Sequence, residues 1–334
     1  MNILVTGGLG FVGSHVCIEL NKFHNLILVD NLSNSKLETL SVIEKLTNNK
    51  IKFYNCDLID DDQLNLVFSK NNIDAVVHLA GYKSISQSIS CPLHYYENNV
   101  TSTVKLCNYM NLYNVKRLVF SSSATVYGLN NPPPLKESMS LEATNPYGFT
   151  KLIIENLLHD LFKSDQSWKI SILRYFNPVG AHVSGLVGEN NKNISGSLFS
   201  IISNVLLGRD KKLFVYGNDY PTPDGTAIRD YIHVMDLALA HKNAIDMIDK
   251  NDNVGVYNIG VGAGYSVLEV IKHFEEVTSR KIKYEYTSRR SGDVAISYAD
   301  TNKAKEELRW VSKRNLHQMC YDSWKWSCRI QAYS

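Results

Sequence analysis

Thr6-Gly7-Gly8-Leu9-Gly10-Phe11-Val12-Gly13, written TGGLGFVG, follows the apolar run Asn2–Val5 and opens a stretch of helical spacing, Gly13–Asn21. Each glycine in a strand-to-helix turn of this spacing has its own use. Gly7 allows the tight turn, Gly10 lets a pyrophosphate approach the backbone, and Gly13 lets helix and strand pack closely. The helix start then offers N–H groups and a partial positive charge to phosphate. A glycine pattern alone is weak evidence. It gains force from a second strand, Leu26–Asp30, which ends in a carboxylate 20 residues beyond Gly10. An acid there takes both ribose hydroxyls and repels a 2′-phosphate, so the pattern predicts NAD rather than NADP.

The alternation continues outward from this unit. Lys52–Tyr54, Ala75–Leu79, Arg117–Ser121 and Ile170–Arg174 repeat the strand pattern, with helical stretches between them. Such alternation predicts a parallel sheet covered on both faces, a doubly wound (Rossmann) α/β domain over residues 1–176. Beyond residue 176 the regularity breaks down into the loops Pro178–Gly196 and Gly217–Gly225. Isolated strands at Val256–Ile259 and Ile282–Tyr286 follow, with helices near 266–277 and 300–308. These predict a smaller α/β substrate-binding lobe over 177–334 that caps the sheet's carboxyl edge, with later segments returning to the first domain.

A chain of 334 residues suits two units of this kind. Hydrophobic residues at 44% and charged residues at 20% argue against disorder. A net charge of +2 gives no basic field to hold nucleic acid and no polybasic membrane anchor. The 6 cysteines form no CxxC pair, which argues against a disulfide framework or a zinc site, and no metal is expected. MNILVTGG lacks the charged n-region of a signal peptide, and no apolar stretch of about 18 residues occurs. A soluble, reduced, cytoplasmic protein is expected.

Asp57 follows the third strand and His78-Leu79-Ala80-Gly81 ends the fourth, where a doubly wound sheet faces an adenine and a second ribose. His78, flanked by apolar residues, reads as a core histidine rather than a ligand. Ser121–Ser123 closes another strand at the same edge. Tyr147 and Lys151 follow as YGFTK, one helical turn apart and so on one helix face. An ammonium beside a phenol stabilises phenolate, so the spacing predicts a tyrosine whose pKa is lowered towards neutrality for general-base work. A nicotinamide cation would push it the same way, and Ser123 can bridge the phenol and a substrate hydroxyl.

TGGLGFVG, the serine and YxxxK match the extended short-chain dehydrogenase/reductase family. FSSSATVYG, NPYG, LRYFNPVGAH, YGNDYPTPDGTAIRDYIHVMDLA and RRSGD together resemble its UDP-hexose 4-epimerases, from Met1 to about Trp326. The resemblance implies that Tyr147 takes the proton of the sugar's 4-hydroxyl while hydride passes from carbon 4 to a retained NAD. The 4-keto sugar then turns over and takes hydride back on its opposite face, with Ser123 and Lys151 assisting the proton transfer. It implies cofactor contacts by Gly7, Gly10, Phe11, Val12, Asp30, Asn31, Asn34, Ser35, Asp57, Leu58, Leu79, Ala80, Gly81, Lys83, Asn98, Ser121, Tyr147, Lys151 and Tyr175, the last beside the nicotinamide. For the UDP-hexose it implies Lys83, Ser123, Tyr147, Asn177, Ser197, Leu198, Tyr216, Arg229, Arg290, Asp293 and Ser297. A diphosphate wants planar, permanently charged guanidinium groups, which Arg229 and Arg290 supply.

Departures from the family pattern narrow the reading. Relatives that dehydrate or decarboxylate sugar nucleotides carry acids just after the catalytic serine or threonine, where this chain has Ala124 and Thr125. Epimerases show an Asn-Asn-Leu run where this chain has Gly196-Ser197-Leu198, so Ser197 replaces a sugar-contacting asparagine. The sharpest departure is Ser297, at the position that walls the sugar's carbon 2 side. A tyrosine there goes with plain hexoses, and a small residue leaves space for an N-acetyl group. The expected function is interconversion of UDP-galactose and UDP-glucose, extended to UDP-GlcNAc and UDP-GalNAc. The alternatives are an epimerase preferring N-acetylhexosamines, a sugar-nucleotide dehydratase and a silent NAD-binding module. Apolar residues cover about half the circumference of the helix from Tyr147 to Phe162, and the helix around Tyr95–Leu112 is similarly rich. Two such helices meeting a symmetry mate predict a homodimer, as in the family.

Overall fold

The computed structural model describes residues 1–189, 196–250, 252–290 and 292–332. Its first half alternates strands β1 (Asn2–Thr6), β2 (Asn25–Asp30), β3 (Lys52–Asn55), β4 (Ala75–His78), β5 (Arg117–Ser123) and β6 (Lys169–Tyr175) with helices α1 (Phe11–Leu20), α2 (Glu38–Thr47), α3 (Asp61–Ser69), α4 (Ile85–Ser90), α5 (Pro92–Tyr95), α6 (Ser102–Leu112) and α7 (Pro146–Ser164). The second half adds β7 (Asn177–Val179), α8 (Leu198–Leu206), β8 (Leu213–Tyr216), β9 (Ile228–Arg229), β10 (Tyr231–His233), α9 (Val234–Met247) and β11 (Gly255–Ile259). It ends with β12 (Tyr265–Ser266), α10 (Val267–Thr278), β13 (Tyr284–Thr287), β14 (Ile296–Ser297), α11 (Asn302–Glu307) and α12 (Leu316–Ala332).

The central sheet runs β3-β2-β1-β4-β5-β6-β11, all parallel. Its inner strands are apolar on both faces, as a sheet sandwiched between helices requires. Leu20, Ile43 and Leu237 of α1, α2 and α9 pack on one face, and Val67, Met110 and Leu158 of α3, α6 and α7 on the other. Strand order reverses between β1 and β4, the switch point where doubly wound sheets open a crevice. The register brings Thr6, His78, Ser123 and Tyr175 to the strand ends on that side.

After β6 the chain leaves the sheet through β7 and α8 and returns through α9 and β11. The second lobe has its own core, in which Phe199, Ile202, Val215, Tyr231, Ile271, Phe274 and Met319 meet. Its sheets are small: β7 with β10, β8 with β13, and β12-β9-β14. Ser266 and Glu269 form a reciprocal capping box that starts α10. Among the described residues no helix is long and apolar enough to cross a membrane.

One local expectation changes. The helix predicted around Tyr95–Leu112 is α5 and α6 joined by a π-helical turn, Tyr96–Thr101. A π turn spaces apolar residues almost as an α turn does, so the pattern conceals it. The wider turn carries Asn99 inward, where its side chain accepts from Tyr82 N (2.8 Å) and donates to Tyr82 O and Thr150 Oγ1 (both 3.1 Å). The loop preceding Lys83 is thereby tied to α7.

Among the described residues four histidines are fully buried: His15, His78, His233 and His241. His78, read from sequence as a core residue, joins Thr6 Oγ1 through Nδ1 (2.7 Å) and Thr103 Oγ1 through Nε2 (2.9 Å). Burial pushes His15 and His78 down to about 3 and His241 down to about 4. These rings are neutral in the folded chain, whereas the unfolded chain takes up protons below about 6.5. Their share of stability is therefore complete above that pH and is lost as pH falls towards 4, at about 1.4 kcal/mol per histidine per unit. Denaturant titrations should show a steep loss of stability between pH 6.5 and 5. Equal unfolding free energies at those two values would contradict it.

Candidate active site

The glycine turn has the shape its spacing predicts. Gly7 takes φ +68°, and a Cβ there would stand 2.8 Å from Ala80 N. A Cβ on Gly13 would meet Gly7 O at 2.1 Å, so this glycine lets α1 close on β1, while Gly10 has open space on its Cβ side apart from Gly7 O at 3.4 Å. Gly10 caps α1, whose first turn (Phe11, Val12, Gly13) has neither an acidic residue nor a side-chain cap. The positive helix end is left for an outside anion. Asp30 ends β2 and is almost fully buried. It accepts from Leu9 N (3.0 Å), Leu32 N (2.9 Å) and Ser35 Oγ (2.7 Å), which fixes its carboxylate beside the glycine turn. Asn31 Nδ2 donates to Asp57 Oδ2 (3.1 Å), which joins the ends of β2 and β3 above buried Leu58. Leu79 and Ala80 each donate N–H to Thr6 Oγ1 (3.3 Å). Gly81 follows with φ +152°, its Cβ position close to Asn99 Oδ1 and Lys151 Nζ. This cradle fits a dinucleotide.

Asn145 caps α7 by accepting from Gly148 N (2.9 Å), and Pro146 sits in its first turn. Tyr147 therefore enters the helix at a fixed position, with Lys151 one turn later. Lys151 is 5% exposed and donates from Nζ to Ser121 O (2.7 Å); its ammonium lies 5.9 Å from the Tyr147 ring centre. Ser123 accepts from Thr125 N (3.3 Å) and Thr125 Oγ1 (3.0 Å), and its hydrogen bond also reaches Tyr147. Serine, phenol and ammonium thus meet at the carboxyl edge. Tyr175 OH bonds His241 Nε2 and Ser121 beside them.

The electrostatics differ from the sequence expectation. Tyr147 is not lowered: burial pushes it up to about 12, and the Ser123 hydrogen bond only partly offsets this. Burial also pushes Lys151 down to about 8, against the pull of Glu155 one turn further on. The reason is desolvation: burial of the phenol dominates, and the Lys151 ammonium makes its hydrogen bond to Ser121 O. With the chain's own groups alone the phenol keeps its proton at neutral pH, and a further positive charge is needed to make it a base.

Some of the expected nucleotide residues meet in pairs in the second lobe. Arg290 stacks on Tyr216 with its guanidinium carbon 3.8 Å from the ring centre, and Arg229 Nη2 lies 3.6 Å from Asp293 Oδ1. Ser291 of the RRSGD run lies outside the described residues, as do positions 190–195 of the Pro178–Gly196 loop. Ser297 pairs with Arg229 across β14 and β9, and Asn177 opens β7. Ser197 caps α8, whose first residue is Leu198, by accepting from Ser200 N (3.3 Å). Asn98 donates to Asn99 Oδ1 (2.9 Å). Asn34 lies in the loop after β2, away from these lobe residues in sequence.

Sequence reading missed Glu189. Its carboxylate takes Ser197 Oγ at 2.5 Å and Lys83 Nζ at 3.2 Å, linking the second lobe to the cofactor side. The Lys83 partner lies 106 residues away and leaves no local signal.

Residues 4–323 match the family profile described as GDP-mannose 4,6 dehydratase. The chain is 48% identical over 335 residues to a UDP-glucose 4-epimerase of Bacillus subtilis (strain 168), covering 100% of this chain and 99% of the relative. The structure superposes with TM-score 0.97, at 41% identity and full coverage of both chains, on a UDP-glucose-4-epimerase from Stenotrophomonas maltophila with bound NAD and formylated UDP-arabinopyranose. A UDP-glucose 4-epimerase from Bifidobacterium longum in complex with NAD⁺ and UDP gives TM-score 0.95 at 46% identity, with 99% of each chain covered. Near-half identity sustained over whole chains, on a common backbone, makes this chain a member of the UDP-glucose 4-epimerase family.

Proposed function

We propose that the chain interconverts UDP-glucose and UDP-galactose by transient oxidation at sugar carbon 4, with NAD retained through the cycle. The observation that carries this reading is the meeting of Ser123, Tyr147 and Lys151 at the sheet's carboxyl edge, beside the dinucleotide cradle. In this reading the Rossmann sheet with its returning segments holds NAD, and the second lobe holds the UDP-sugar. When bound, NAD supplies the hydride acceptor and a positive charge. Tyr147 takes the proton of the 4-hydroxyl and gives it back from the same oxygen. Ser123 orients that hydroxyl, and Lys151 keeps a cation near the phenol. Arg229 and Arg290 hold the diphosphate while the sugar turns. The second residue after Ser123 is Thr125, whose hydroxyl bonds back to Ser123, and Ala124 carries no acid, so the acid–base equipment for dehydration is missing.

We extend the proposal to UDP-GlcNAc and UDP-GalNAc. Ser297 is half-buried in β14, and its side chain is much smaller than the tyrosine that goes with plain hexoses. Purified protein without added NAD should convert both UDP-galactose and UDP-N-acetylgalactosamine, and Ser297→Tyr should abolish only the second activity. Equal loss of both would remove the pocket argument. No conversion even with NAD added back would remove the epimerase reading.

We further propose a homodimer through α6 and α7. Phe149 (42%) and Ile153 (38%) of α7 and Leu112 (71%) of α6 stay exposed although Ile154 and Leu158 are buried within the chain. Sedimentation at micromolar concentration should give twice the chain mass, and a clean monomer would refute it. Four of the six cysteines are buried free thiols, which suits a reducing compartment such as the cytoplasm.

A further inference from the structure

Asp230 follows Arg229 directly, between β9 and β10, and is fully buried. Five hydrogen bonds converge on it. Its Oδ1 accepts from Val261 N (2.7 Å), and Oδ2 accepts from Gly262 N (3.0 Å) and Ala299 N (3.1 Å). Its own N–H donates to Ser297 O (3.0 Å), and its C=O accepts from Asn177 N (3.0 Å). Four separate segments therefore meet at one residue: the start of β7, the β9–β10 link, the loop after β11 and the end of β14.

Three of the residues so registered, Asn177, Arg229 and Ser297, are residues read above as substrate contacts. The counter-charge for the carboxylate comes from three backbone N–H groups, and burial pushes its pKa up to about 6. A neutral side chain would be less costly to bury, so the retained charge calls for a use. Two oxygens with free lone pairs can satisfy three converging donors. An asparagine offers one oxygen and turns N–H groups towards an N–H. The fit is close on the far side too, because a Cβ on Gly260 would stand 2.4 Å from Asp230 Oδ2.

We propose that Asp230 is a positioning residue of the substrate pocket, its carboxylate clamping the backbone of 261–262 and 299 so that Ser297, Arg229 and Asn177 hold their places around the UDP-sugar. The proposal rests on the epimerase reading, which supplies the substrate. A clamp of this kind acts on binding in ground and transition states alike, so its loss should raise KM and leave kcat.

Asp230→Asn is the test, made on the full chain with NAD content and thermal midpoint as controls of folding. Expected is a rise of about tenfold in KM for UDP-galactose and in Kd for UDP, with kcat within about threefold and NAD content unchanged. A folded variant whose KM and UDP affinity stay within about twofold of the parent overturns the proposal. So does loss of NAD with UDP affinity kept. If Asp230→Asn does not fold, Gly260→Ala presses on the same carboxylate and should give the same KM shift. Absence of that shift, or failure of both variants to fold, overturns the positioning role. Should the parent turn over no UDP-hexose, the epimerase reading fails on its own, while the ratio of UDP dissociation constants still decides for or against the clamp.

Discussion

Tyr147→Phe should lower kcat by a factor of about 10²–10⁴ while UDP affinity and NAD content stay at the parent values. The substitution removes one oxygen and leaves the ring, whose face is already set by α7 and its Asn145 cap. Removing that oxygen takes away the proton acceptor and the Ser123 hydrogen bond together. Ser123 lacks the basicity to replace it, and the Lys151 ammonium, which donates to Ser121 O, has no lone pair to accept a proton. Progress curves on UDP-galactose, with UDP titrated calorimetrically into the same preparation, would measure both sides. Activity within about tenfold of the parent would mean that another group accepts the proton.

Glu155→Gln should destabilise the fold by about 3–5 kcal/mol, the cost of leaving a buried charge without its partner. Glu155 is 1% exposed and Arg174 3%. Arg174 donates from Nε to Oε1 (3.1 Å) and from Nη2 to Oε2 (2.7 Å), and Ser122 Oγ donates to Oε1 as well. Nη1 of the same arginine reaches Tyr127 OH (2.9 Å), which donates to Asn258 Oδ1 (2.7 Å), so the network ties β5, α7, β6 and β11 together behind the reacting edge. Glutamine keeps the shape and loses the charge, leaving the guanidinium facing a neutral amide. Denaturant midpoints would register the loss. A paired replacement, Glu155→Met with Arg174→Leu, should recover most of it, because replacing both charges removes two desolvation costs as well as one attraction. A single variant as stable as the parent would show that the pair holds little of the fold together.

Much of this was legible in residue order because the relevant signals are local. TGGLGFVG, the acid ending β2, and YGFTK each fall within one strand-turn-helix unit, so the glycine turn, the place of Asp30 and the one-turn spacing of Tyr147 and Lys151 follow from residue order. The strand pattern of β1 to β6 is legible for the same reason, since strands buried on both faces read as apolar runs. The π turn at Tyr96–Thr101 is not, because one extra residue per turn hardly disturbs apolar spacing. The second lobe resists reading differently. Pairs such as β9 with β14 are two residues long, too short for any periodicity, and their register comes from contacts made far along the chain. Glu189 and Asp230 belong to that class: each reads as an ordinary surface acid until the fold brings its donors to it. The lowered pKa expected for Tyr147 failed because spacing tells which groups are neighbours and not how much water leaves when they meet.

The return of β11 to pair with β6 has a consequence for synthesis on the ribosome. Tyr175 leaves the exit tunnel roughly 80 residues before Ile259, a delay of about 4–16 s at ordinary elongation rates. Through that interval β6 is a bare parallel edge seven residues long, mostly buried and apolar in the finished protein, with its N–H and C=O groups open to any passing strand. Helix α9, which closes the same face, arrives only shortly before β11 does. The nascent chain is therefore most exposed to aggregation late, when six of the seven strands of its sheet are already in place. Slow codons after residue 176 would lengthen that window, and a holdase that masks a single sheet edge is the form of help this fold would use.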